Sequence, residues 1–552
     1  MIGVGRQAAG FSRPQPETIQ VSSFPAPNGG VDTKQAIGDM NINNCIYSYN
    51  LVPADFGMGI RSGYREWCKD LDDGGAISGV RTLMVFDGQV TEPSDNRLFA
   101  VTNEGIWDVT AYDTPILTAA VFADQTGDAG NGVYCHYTDQ SGENFLLYAD
   151  AVNGLWEFTE STGVWAASTD ITGPDLTNVA FVMVHKQRLW LVEQDSTSAW
   201  YLPIASKNGQ ATQFFFGAKF THGGELAALI NWSVDGGAGL DDYLVAVSSA
   251  GDVIPYTGSD PSIVTGEGGW SAKGTYYIGK LPAGRRFFSE YSGELYLLSS
   301  FGLISMADLL RGVESRDTAE MSLTFPIAGV LRRELRKSYD QHGWEPTFLP
   351  SVGYLAINSP YDAVTGVDLT YVMAITLEAW GFIRDVPSQV YAEWDTRVFF
   401  GTADNRVCVM DVPRDNVLID INDPLSAGEP IAFSMLGAYS HANAPGRFKR
   451  GQMVRADFLS ELAITFRTKI LYDYQLAEVF YPIGGVEESN IGVWDVGVWD
   501  QVVWGQGVAS NKNKLQGSGG MGRVMAIAIQ GEAVDTAKLM SFDVMWIDGG
   551  PV

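Results

Sequence analysis

The residues best suited to acid–base or nucleophilic chemistry are scattered along this chain of 552 residues. Its histidines stand apart, without the H-x-x-E-H or H-E-x-x-H spacing that brings two imidazoles onto one metal ion. They are His136, His185, His222, His342 and His441. Neither a G-x-S-x-G nucleophile elbow nor a G-x-x-x-x-G-K-[ST] phosphate loop occurs. These patterns therefore predict no catalytic centre.

Adjacent acidic residues are the next candidates, because two carboxylates about 5 to 10 Å apart can serve a glycosidase as acid and nucleophile. Such adjacent residues are Asp72–Asp73, Asp241–Asp242 and Glu487–Glu488. Neighbouring residues of a strand, however, point to opposite faces of the sheet. They do not form the required pair directly, and we predict that the chain is not an enzyme.

The segment 235–242, DGGAGLDD, gathers carboxylates and flexible backbone carbonyls. Calcium prefers oxygen ligands of this kind, which makes Asp235, Asp241 and Asp242 weak candidates for a calcium site. A solvated turn is the alternative interpretation. We predict no cofactor, and no metal beyond this weak candidate.

Two clusters of basic residues stand out in an acidic chain. The first follows a helical pattern and consists of Arg332, Arg333, Arg336 and Lys337. The second lies in the C-terminal region and consists of Arg447, Lys449, Arg450 and Arg455. We predict both as candidate interfaces that dock an acidic neighbour or touch DNA briefly, and the alternative is a solvated charged face.

The overall charge limits the partners of the chain. It has 65 acidic and 36 basic residues, a formal net charge of −29. Only 18% of its residues are charged, against ~25% in typical soluble proteins, so the imbalance reflects scarce Lys and Arg. Tight nucleic-acid binding needs clustered cations and is not expected. Aromatic residues make up 12% of the chain, which is too much apolar surface for a disordered protein.

The sequence contains few features that indicate a cellular compartment. No apolar run approaches the ~18 residues of a membrane span, and residues 1–27 lack the apolar core of a signal peptide, so we expect no stable membrane insertion. The cysteines are scattered and form no C-x-x-C motif; they are Cys45, Cys68, Cys135 and Cys408. We expect free thiols in a protein that folds in a reducing cytoplasm.

Short strands separated by glycine must position these residues. A hairpin made of an apolar strand, a Gly or Asn turn and a second strand recurs from Arg97, Phe145, Arg188, Tyr243, Glu294, Tyr354 and Arg397. One hairpin in roughly 50 residues is typical of propeller blades, which bury their faces by stacking in a ring. We predict an all-β chain with a β-propeller of six to eight blades, seven favoured. Unrelated β-sandwiches are the alternative.

The chain divides into four predicted segments. Residues 1–27 form an extended N-terminal arm, residues 28–80 join it to the β-domain, residues 81–420 form the propeller, and residues 421–552 form a β-sandwich-like platform. Apolar residues have helical spacing only in 305–315 and 330–341, which predicts one or two short helices. In the last segment we predict Trp494, Trp499 and Trp504 as structural anchors of an irregular strand.

Several stretches occur in an order that resembles one known family. They are GGVDTKQAIGDMNINNCIYSYNLVPADFGMGIRSGYREW from Gly29, then GLISMADLL, HGWEPTFLPSVGYLAINSP, YVMAITLEAWGFI, RVFFGTADNRVCVMD, VRADFLS, WDVGVWDQVVW and the closing WIDGG. The order resembles the tail nozzle, or tail tube (hub), proteins of short-tailed, podovirus-type bacteriophages, over most of residues 25–552. Two positions depart from the family pattern: Ala374 stands where Asn is expected, and Asn405 where Gly is expected.

The resemblance implies a virion protein made in the host cytoplasm. It implies a homo-hexameric ring beneath the portal and adaptor that also contacts tail fibres or spikes. Genomic DNA would be retained by this ring and would pass through it at ejection without tight binding. We expect an acidic channel, because a cationic lining would bind phosphates and slow the DNA.

Two functions from other classes stay open at this point. One is a carbohydrate-binding or carbohydrate-degrading propeller, such as a depolymerase of host glycans. The other is a receptor-binding adhesin. The first requires paired carboxylates and aromatic platforms at the centre of the propeller, and the second requires binding to host cells by the isolated chain.

Overall fold

The computed structural model describes residues 18–72, 78–88, 96–235, 240–263, 269–311, 322–360, 369–420, 427–460, 462, 464–476, 509–510 and 515–551. The chain is mostly β, with 54% of its residues in strands and 6% in helices. The all-β prediction is confirmed. The strands near the N-terminus are β1 (Ile19–Pro25), β2 (Gly30–Val31), β3 (Asn44–Tyr49), β4 (Leu51–Ala54), β5 (Gly57–Ile60) and β6 (Gly63–Cys68).

The first four blades of a β-propeller follow along the chain. Blade 1 contains β7 (Thr82–Phe86), β8 (Arg97–Val101), β9 (Gly105–Asp108) and β10 (Ile116–Val121). Blade 2 contains β11 (Val133–Thr138), β12 (Asn144–Asp150), β13 (Gly154–Thr159) and β14 (Val164–Ala167). Blade 3 contains β16 (Val179–His185), β17 (Arg188–Glu193), β18 (Ser198–Tyr201) and β20 (Thr212–Phe215), and β15 (Ile171–Thr172) pairs with β19 (Gly209–Gln210) beside it. Blade 4 contains β21 (Leu226–Asp235), β22 (Leu240–Ser248), β23 (Asp252–Thr257), β24 (Ser271–Ala272) and β25 (Tyr276–Tyr277).

Three further units complete the ring. Blade 5 contains β26 (Phe288–Tyr291), β27 (Glu294–Ser299) and β28 (Gly302–Ser305). The sixth unit contains β29 (Glu345–Leu349), β30 (Tyr354–Asn358), β31 (Leu369–Ala374) and β32 (Ala379–Arg384). Blade 7 contains β33 (Ser388–Trp394), β34 (Arg397–Thr402), β35 (Val407–Val412) and the early strand β6. The predicted β-propeller is therefore confirmed, with six blades. Blades 1 to 5 and blade 7 are separate sheets, whereas the sixth unit is the start of a larger sheet.

The ring closes through its innermost strands and through the N-terminal part of the chain. Strand β7 of blade 1 contacts β33 of blade 7, and β29 contacts both β26 and β33. Strand β6 pairs antiparallel with β35, so residues near the N-terminus complete the last blade. Stacking of this kind buries both faces of each small sheet without leaving long exposed edges.

The sequence hairpins coincide with the second and third strands of each blade. A polar residue follows the second strand, or ends it, in all seven; these are Thr102, Asp150, Glu193, Ser248, Ser299, Asn358 and Thr402. All of them except Glu193 are buried. Their side chains satisfy backbone groups of the turn, as when Ser299 Oγ donates to Ile278 O at 2.6 Å and accepts from the Phe301 amide at 3.1 Å.

Asn405 shows why the departure from Gly is tolerated at the last hairpin. Its φ of 60° lies in the left-handed region, which Asn enters more readily than most residues. Its side-chain oxygen also accepts a hydrogen bond of 2.8 Å from the amide of Gly79. The amide side chain thus ties this turn to the segment that enters blade 1.

Among the residues that the structure describes between blade 5 and the sixth unit, two α-helices occur where helical spacing was predicted. They are α1 (Met306–Leu310) and α2 (Ala328–Ser338), and α2 is preceded by a 3₁₀ turn at Phe325–Ile327. Other 3₁₀ turns are Leu176–Asn178 and Gly217–Lys219. Helix α2 buries Ala328, Leu331 and Leu335 and exposes its opposite face.

The C-terminal strands form a two-sheet platform together with the N-terminal strands. They are β36 (Ile431–Gly437), β37 (Arg447–Ser460), β38 (Thr465–Tyr472), β39 (Ala509–Ser510), β40 (Leu515–Gly517), β41 (Met521–Gly522), β42 (Met525–Ala533) and β43 (Ala537–Pro551). The first sheet has eight strands, in which β43 pairs with β37, β1 and β5. The second has nine strands and continues from the sixth propeller unit through β3 into β36, β42 and β38.

The two platform sheets pack face to face over an aromatic core. The ring of Phe458 lies 6.0 Å from that of Phe433 and 5.1 Å from that of Phe466. These residues belong to one buried cluster that extends into the propeller. The four predicted segment boundaries stay predictions, but strands from residues 19–60 are integral to the platform sheets.

Candidate functional site

The centre of the propeller, where propeller binding sites commonly form, is crossed by a charged cluster. Arg286 precedes β26 in blade 5, and its Nη2 donates to the backbone oxygen of Arg81, at the entry to blade 1, over 2.7 Å. Arg286 Nη1 also lies 3.4 Å from Glu345 Oε2, and both side chains are only 17% exposed. Blades 1 and 5 are not neighbours in the ring, so this contact spans its middle.

A second contact crosses the ring beside the first. His342 precedes β29, and its Nε2 lies 3.1 Å from Asp128 Oδ2 in the loop between blades 1 and 2. Arg81 donates from Nη1 to the backbone oxygens of Gly127 and Ala129, each at 2.7 Å, and so holds that loop in place. We call Arg81, Asp128, Arg286, His342 and Glu345 the axial cluster.

Burial sets the protonation tendencies of the axial cluster. It raises the pKa of Glu345 above the ordinary range, against the opposing effect of Arg286. It lowers the pKa of His342, although Asp128 acts in the opposite direction. Each carboxylate is engaged, Glu345 by a guanidinium and Asp128 by an imidazole. This arrangement suits a structural tie across the ring rather than an acid and a nucleophile facing one substrate.

A second histidine–aspartate contact lies in blade 4. His222 Nδ1 is 2.6 Å from Oδ1 of the buried Asp252, which also accepts from Thr221 Oγ1 at 2.9 Å. Burial acts to raise the pKa of Asp252, but the hydrogen bonds from His222 and Thr221 lower it below the ordinary value. The His222 ring stacks on Tyr277, with 4.0 Å between ring centroids. These contacts fasten a loop to the blade.

The candidate calcium ligands lie at the tip of blade 4. Asp235 and Asp241 are on the paired strands β21 and β22, and residues 236–239 are outside the described residues. Asp242 accepts a hydrogen bond of 2.6 Å from Ser233 Oγ. Among the described residues, no group of three or more His, Cys, Asp or Glu side chains could hold a metal ion.

The first predicted basic cluster is split between two sides of α2. Arg333 and Lys337 are exposed and both pair with Glu334, at 3.0 Å and 2.9 Å. Arg332 and Arg336 line a cleft on the side that faces blade 5. The sequence predicted one cluster of four cations, and the structure divides them into two pairs on different sides of the helix.

The second predicted basic cluster is divided by burial. Lys449 is fully buried, and its ammonium donates to the backbone oxygens of Ala444, Arg447 and Arg523 at 2.8, 3.0 and 2.7 Å. It therefore acts as an internal tie and not as a surface charge. Arg447 pairs with Asp548, and Arg455 with Asp543. Arg450 is exposed on the same strand.

The eight-stranded platform sheet has an outer face that turns away from the core. Its cross-strand neighbours include Val21 opposite Met545, and Met545 opposite Met453. The exposed apolar side chains on the strands of this outer sheet face are Ile19, Val21, Met453, Leu459, Leu515, Met521 and Met540. Arg450, Arg455 and Asp543 lie among them. Sequence reasoning missed this face, although the alternation in β1 and β37 was a usable signal.

Other candidate residues fall outside the described part of the chain or have no chemical role there. Trp494, Trp499, Trp504, Glu487 and Glu488, together with Asp73, are outside the described residues. The four cysteines are free thiols, as predicted. Burial raises the pKa of Cys68 to about 11 and that of Cys135 to about 12, so these thiols are poor nucleophiles. No helix among the described residues is long and apolar enough to cross a bilayer.

Comparison with known proteins identifies no family for this chain. No family model matches the chain, and no curated protein matches it. Among solved structures, the computationally designed Ika8 protein is similar at 10% identity, with 63% of this chain and 99% of that chain covered and a TM-score of 0.32. BBS1N, solved in complex with ARL6DN, is similar at 12% identity, with 47% and 77% covered and a TM-score of 0.28.

Proposed function

We propose that this chain is a structural component of a short-tailed phage tail and is not an enzyme. Six copies would form a nozzle ring around the DNA exit channel, beneath the portal and adaptor and in contact with fibres or spikes. The ring would retain the packaged genome and let it pass at ejection. The sequence motifs that occur in the family's order support this proposal, and a propeller followed by a β platform is compatible with it.

The observation that carries the proposal is the sheet shared by the propeller and the platform. Strand β32 of the propeller pairs with β3, and β3 pairs with β36, so one hydrogen-bonded sheet joins the two parts. A shared sheet resists bending between them far better than a loop would. A subunit with this rigidity suits a ring whose channel must keep a constant width.

The axial cluster bears on where DNA would pass. Because Arg286 and His342 are held across the middle of the propeller, DNA is not expected to enter a single propeller. The channel would then lie between copies, as in rings closed by head-to-tail contacts. The same contacts leave little reason to favour a glycan depolymerase, which needs an open central site with facing carboxylates.

The outer sheet face is our candidate for contact between copies. Its apolar side chains would be covered in a ring, and its charges are mixed, with Arg447, Arg450 and Arg455 near Asp457, Asp543 and Asp548. Two copies that each carry −29 repel over most of their surface. A face with balanced charge and apolar residues suits a second copy better than a strongly acidic face does.

Particle mass measured on the purified full chain tests the proposal. We expect particles of six times 59.9 kDa at high concentration, with a six-fold ring in electron micrographs. Turnover of a capsular polysaccharide, abolished by one Asp or Glu substitution, would instead establish the depolymerase. Binding of the monomer to host cells without any assembly would establish the adhesin.

A further inference from the structure

A cleft lies between helix α2 and the loops that enter and leave blade 5. It has a volume of about 410 Å³ and is lined by Lys280, Leu281, Pro282, Ser300, Phe301, Arg332, Leu335, Arg336 and Tyr339. We call it the helix cleft. None of the residues that line it is acidic, although the whole chain carries −29. Such a concentration of cations in an acidic protein indicates an anionic ligand.

The three cations of the helix cleft, Lys280, Arg332 and Arg336, differ in the contacts that their side chains make. Lys280 lies over the ring of Tyr339, with Nζ 4.1 Å from the ring centroid. Arg332 Nη2 donates to Phe301 O at 3.2 Å, while its buried Nε has no hydrogen-bond partner among the described residues. Within the described part of the chain, neither Lys280 nor Arg336 forms a salt bridge. The cleft therefore offers donors that a bound anion can satisfy.

The residues that line the helix cleft favour a peptide over a nucleic acid as its ligand. Leu281, Pro282, Phe301 and Leu335 give it apolar surfaces next to the charged groups. A concave cleft of about 410 Å³ has room for one or two side chains, whereas a duplex presents its phosphates along a convex surface. A carboxylate beside an apolar or aromatic side chain matches both features.

We propose that the helix cleft binds an acidic peptide segment of a partner protein, in which Asp or Glu is next to a large apolar residue. Lys280, Arg332 and Arg336 would hold the carboxylate, and Phe301 and Tyr339 would contact the apolar side chain. The inference rests on the cleft itself and does not require the tail function proposed above. Helix α2 supplies the arginines, and its rigid packing on Leu331 and Leu335 fixes their spacing.

Fluorescence anisotropy with the full chain tests this site directly. The probe is the peptide Gly-Glu-Phe-Glu-Leu-Gly carrying a neutral dye, and its comparison is the same peptide with Gln in place of Glu. We expect binding of the acidic peptide that weakens with salt, and at least about tenfold weaker binding of the Gln peptide. Equal binding of both peptides, or none of the acidic peptide at about 1 mM, would overturn the proposal.

Matched double variants locate the binding. Lys280→Gln with Arg336→Gln should weaken the acidic peptide at least about tenfold, because both side chains line the cleft. Arg333→Gln with Lys337→Gln removes the same charge from the other side of α2 and should change affinity by less than about twofold. Equal losses in the two doubles would mean a general charge effect and would contradict the site. Near-ultraviolet circular dichroism checks that both doubles are folded.

A competition experiment decides between ligand classes. A short single-stranded oligonucleotide of mixed sequence is added to the complex of the chain with the acidic peptide. We expect no displacement at physiological salt, because the apolar walls formed by Leu281, Pro282 and Leu335 offer a phosphate backbone no partner. Displacement that depends on Lys280 and Arg336 would show that the site takes phosphates, and the peptide assignment would be wrong.

Discussion

Arg286 donates a hydrogen bond of 2.7 Å to the backbone oxygen of Arg81, although 205 residues separate them and their blades are not neighbours in the ring. The same guanidinium lies 3.4 Å from Glu345 in the sixth unit. One side chain therefore connects three parts of the propeller across its middle. Loss of Arg286 would leave Glu345 and a backbone oxygen without their partner in a largely buried position.

We expect Arg286→Ala to lower the free energy of unfolding by about 2 kcal/mol, because it leaves a mostly buried carboxylate unpaired. Urea denaturation followed by tryptophan fluorescence measures the change. Arg333→Ala is the control, since Arg333 forms an exposed pair with Glu334 whose loss should cost less than about 0.5 kcal/mol. Equal effects of the two substitutions would contradict the bridging role of Arg286.

Stability should decrease as the solution is acidified from neutral pH, because buried histidines resist protonation. Burial lowers the pKa of His185, which is only 2% exposed, and also that of the partly buried His342. The unfolded chain protonates near the ordinary value of about 6.5, so the stabilisation is complete above that pH and is lost as pH falls toward the folded pKa. Each such histidine lowers the free energy of unfolding by at most about 1.4 kcal/mol per pH unit of acidification.

His185→Gln should make this dependence shallower, because Gln does not titrate. Urea denaturation at several pH values between neutral and about 5.5 measures the slope. His441→Gln, at an exposed position, is the matched control and should leave the slope unchanged. An identical slope in His185→Gln and the unmodified chain would show that this histidine is not the source.

The buried polar residue at the end of the second strand should stabilise each blade. Ser299→Ala removes the hydroxyl that donates to Ile278 O and accepts from the Phe301 amide, so both backbone groups lose a buried partner. We expect a loss of about 1–2 kcal/mol in the free energy of unfolding. Ser141→Ala, in an exposed turn, should cost much less. If Ser299→Ala left the free energy of unfolding unchanged, the turn would be held by its backbone alone.

Assembly should depend on the outer sheet face. Met453→Glu places a charge on an exposed apolar position of β37 and should abolish ring formation without unfolding the chain. Ile204→Glu makes the same kind of change at an exposed position of the propeller and should leave assembly intact. Particle mass at matched concentrations compares the two. Rings formed equally well by Met453→Glu would exclude this face as the contact.

The hairpins carried most of the fold prediction because their signal is local. Each combines an apolar strand, a polar residue and a turn residue with positive φ, such as Gly251 at 100° and Asn405 at 60°. A Cβ at Gly251 would lie 2.0 Å from the backbone oxygen of Gly279, so this position requires glycine. Features of this kind can be read from a few consecutive residues, and they located the blades.

Contacts between distant segments could not be predicted in the same way. Nothing near Arg286 indicates that it meets Arg81, and nothing in β1 indicates that it pairs with β43. Lys449 shows a related limit. It stands in a basic stretch, but register shifts in β37 break simple alternation and turn its side chain inward. Burial of a lysine depends on three carbonyl groups that only the folded chain brings together.

The central claim is a ring whose channel lies between copies and is lined by acid. An electron cryo-microscopy reconstruction of the assembled full chain measures this most directly. We predict six subunits around an open lumen, with Asp and Glu outnumbering Lys and Arg on the lumen wall and with the axial cluster closed in every propeller. A reconstruction that shows only monomers, or a lumen lined mainly by Lys and Arg, would contradict the account.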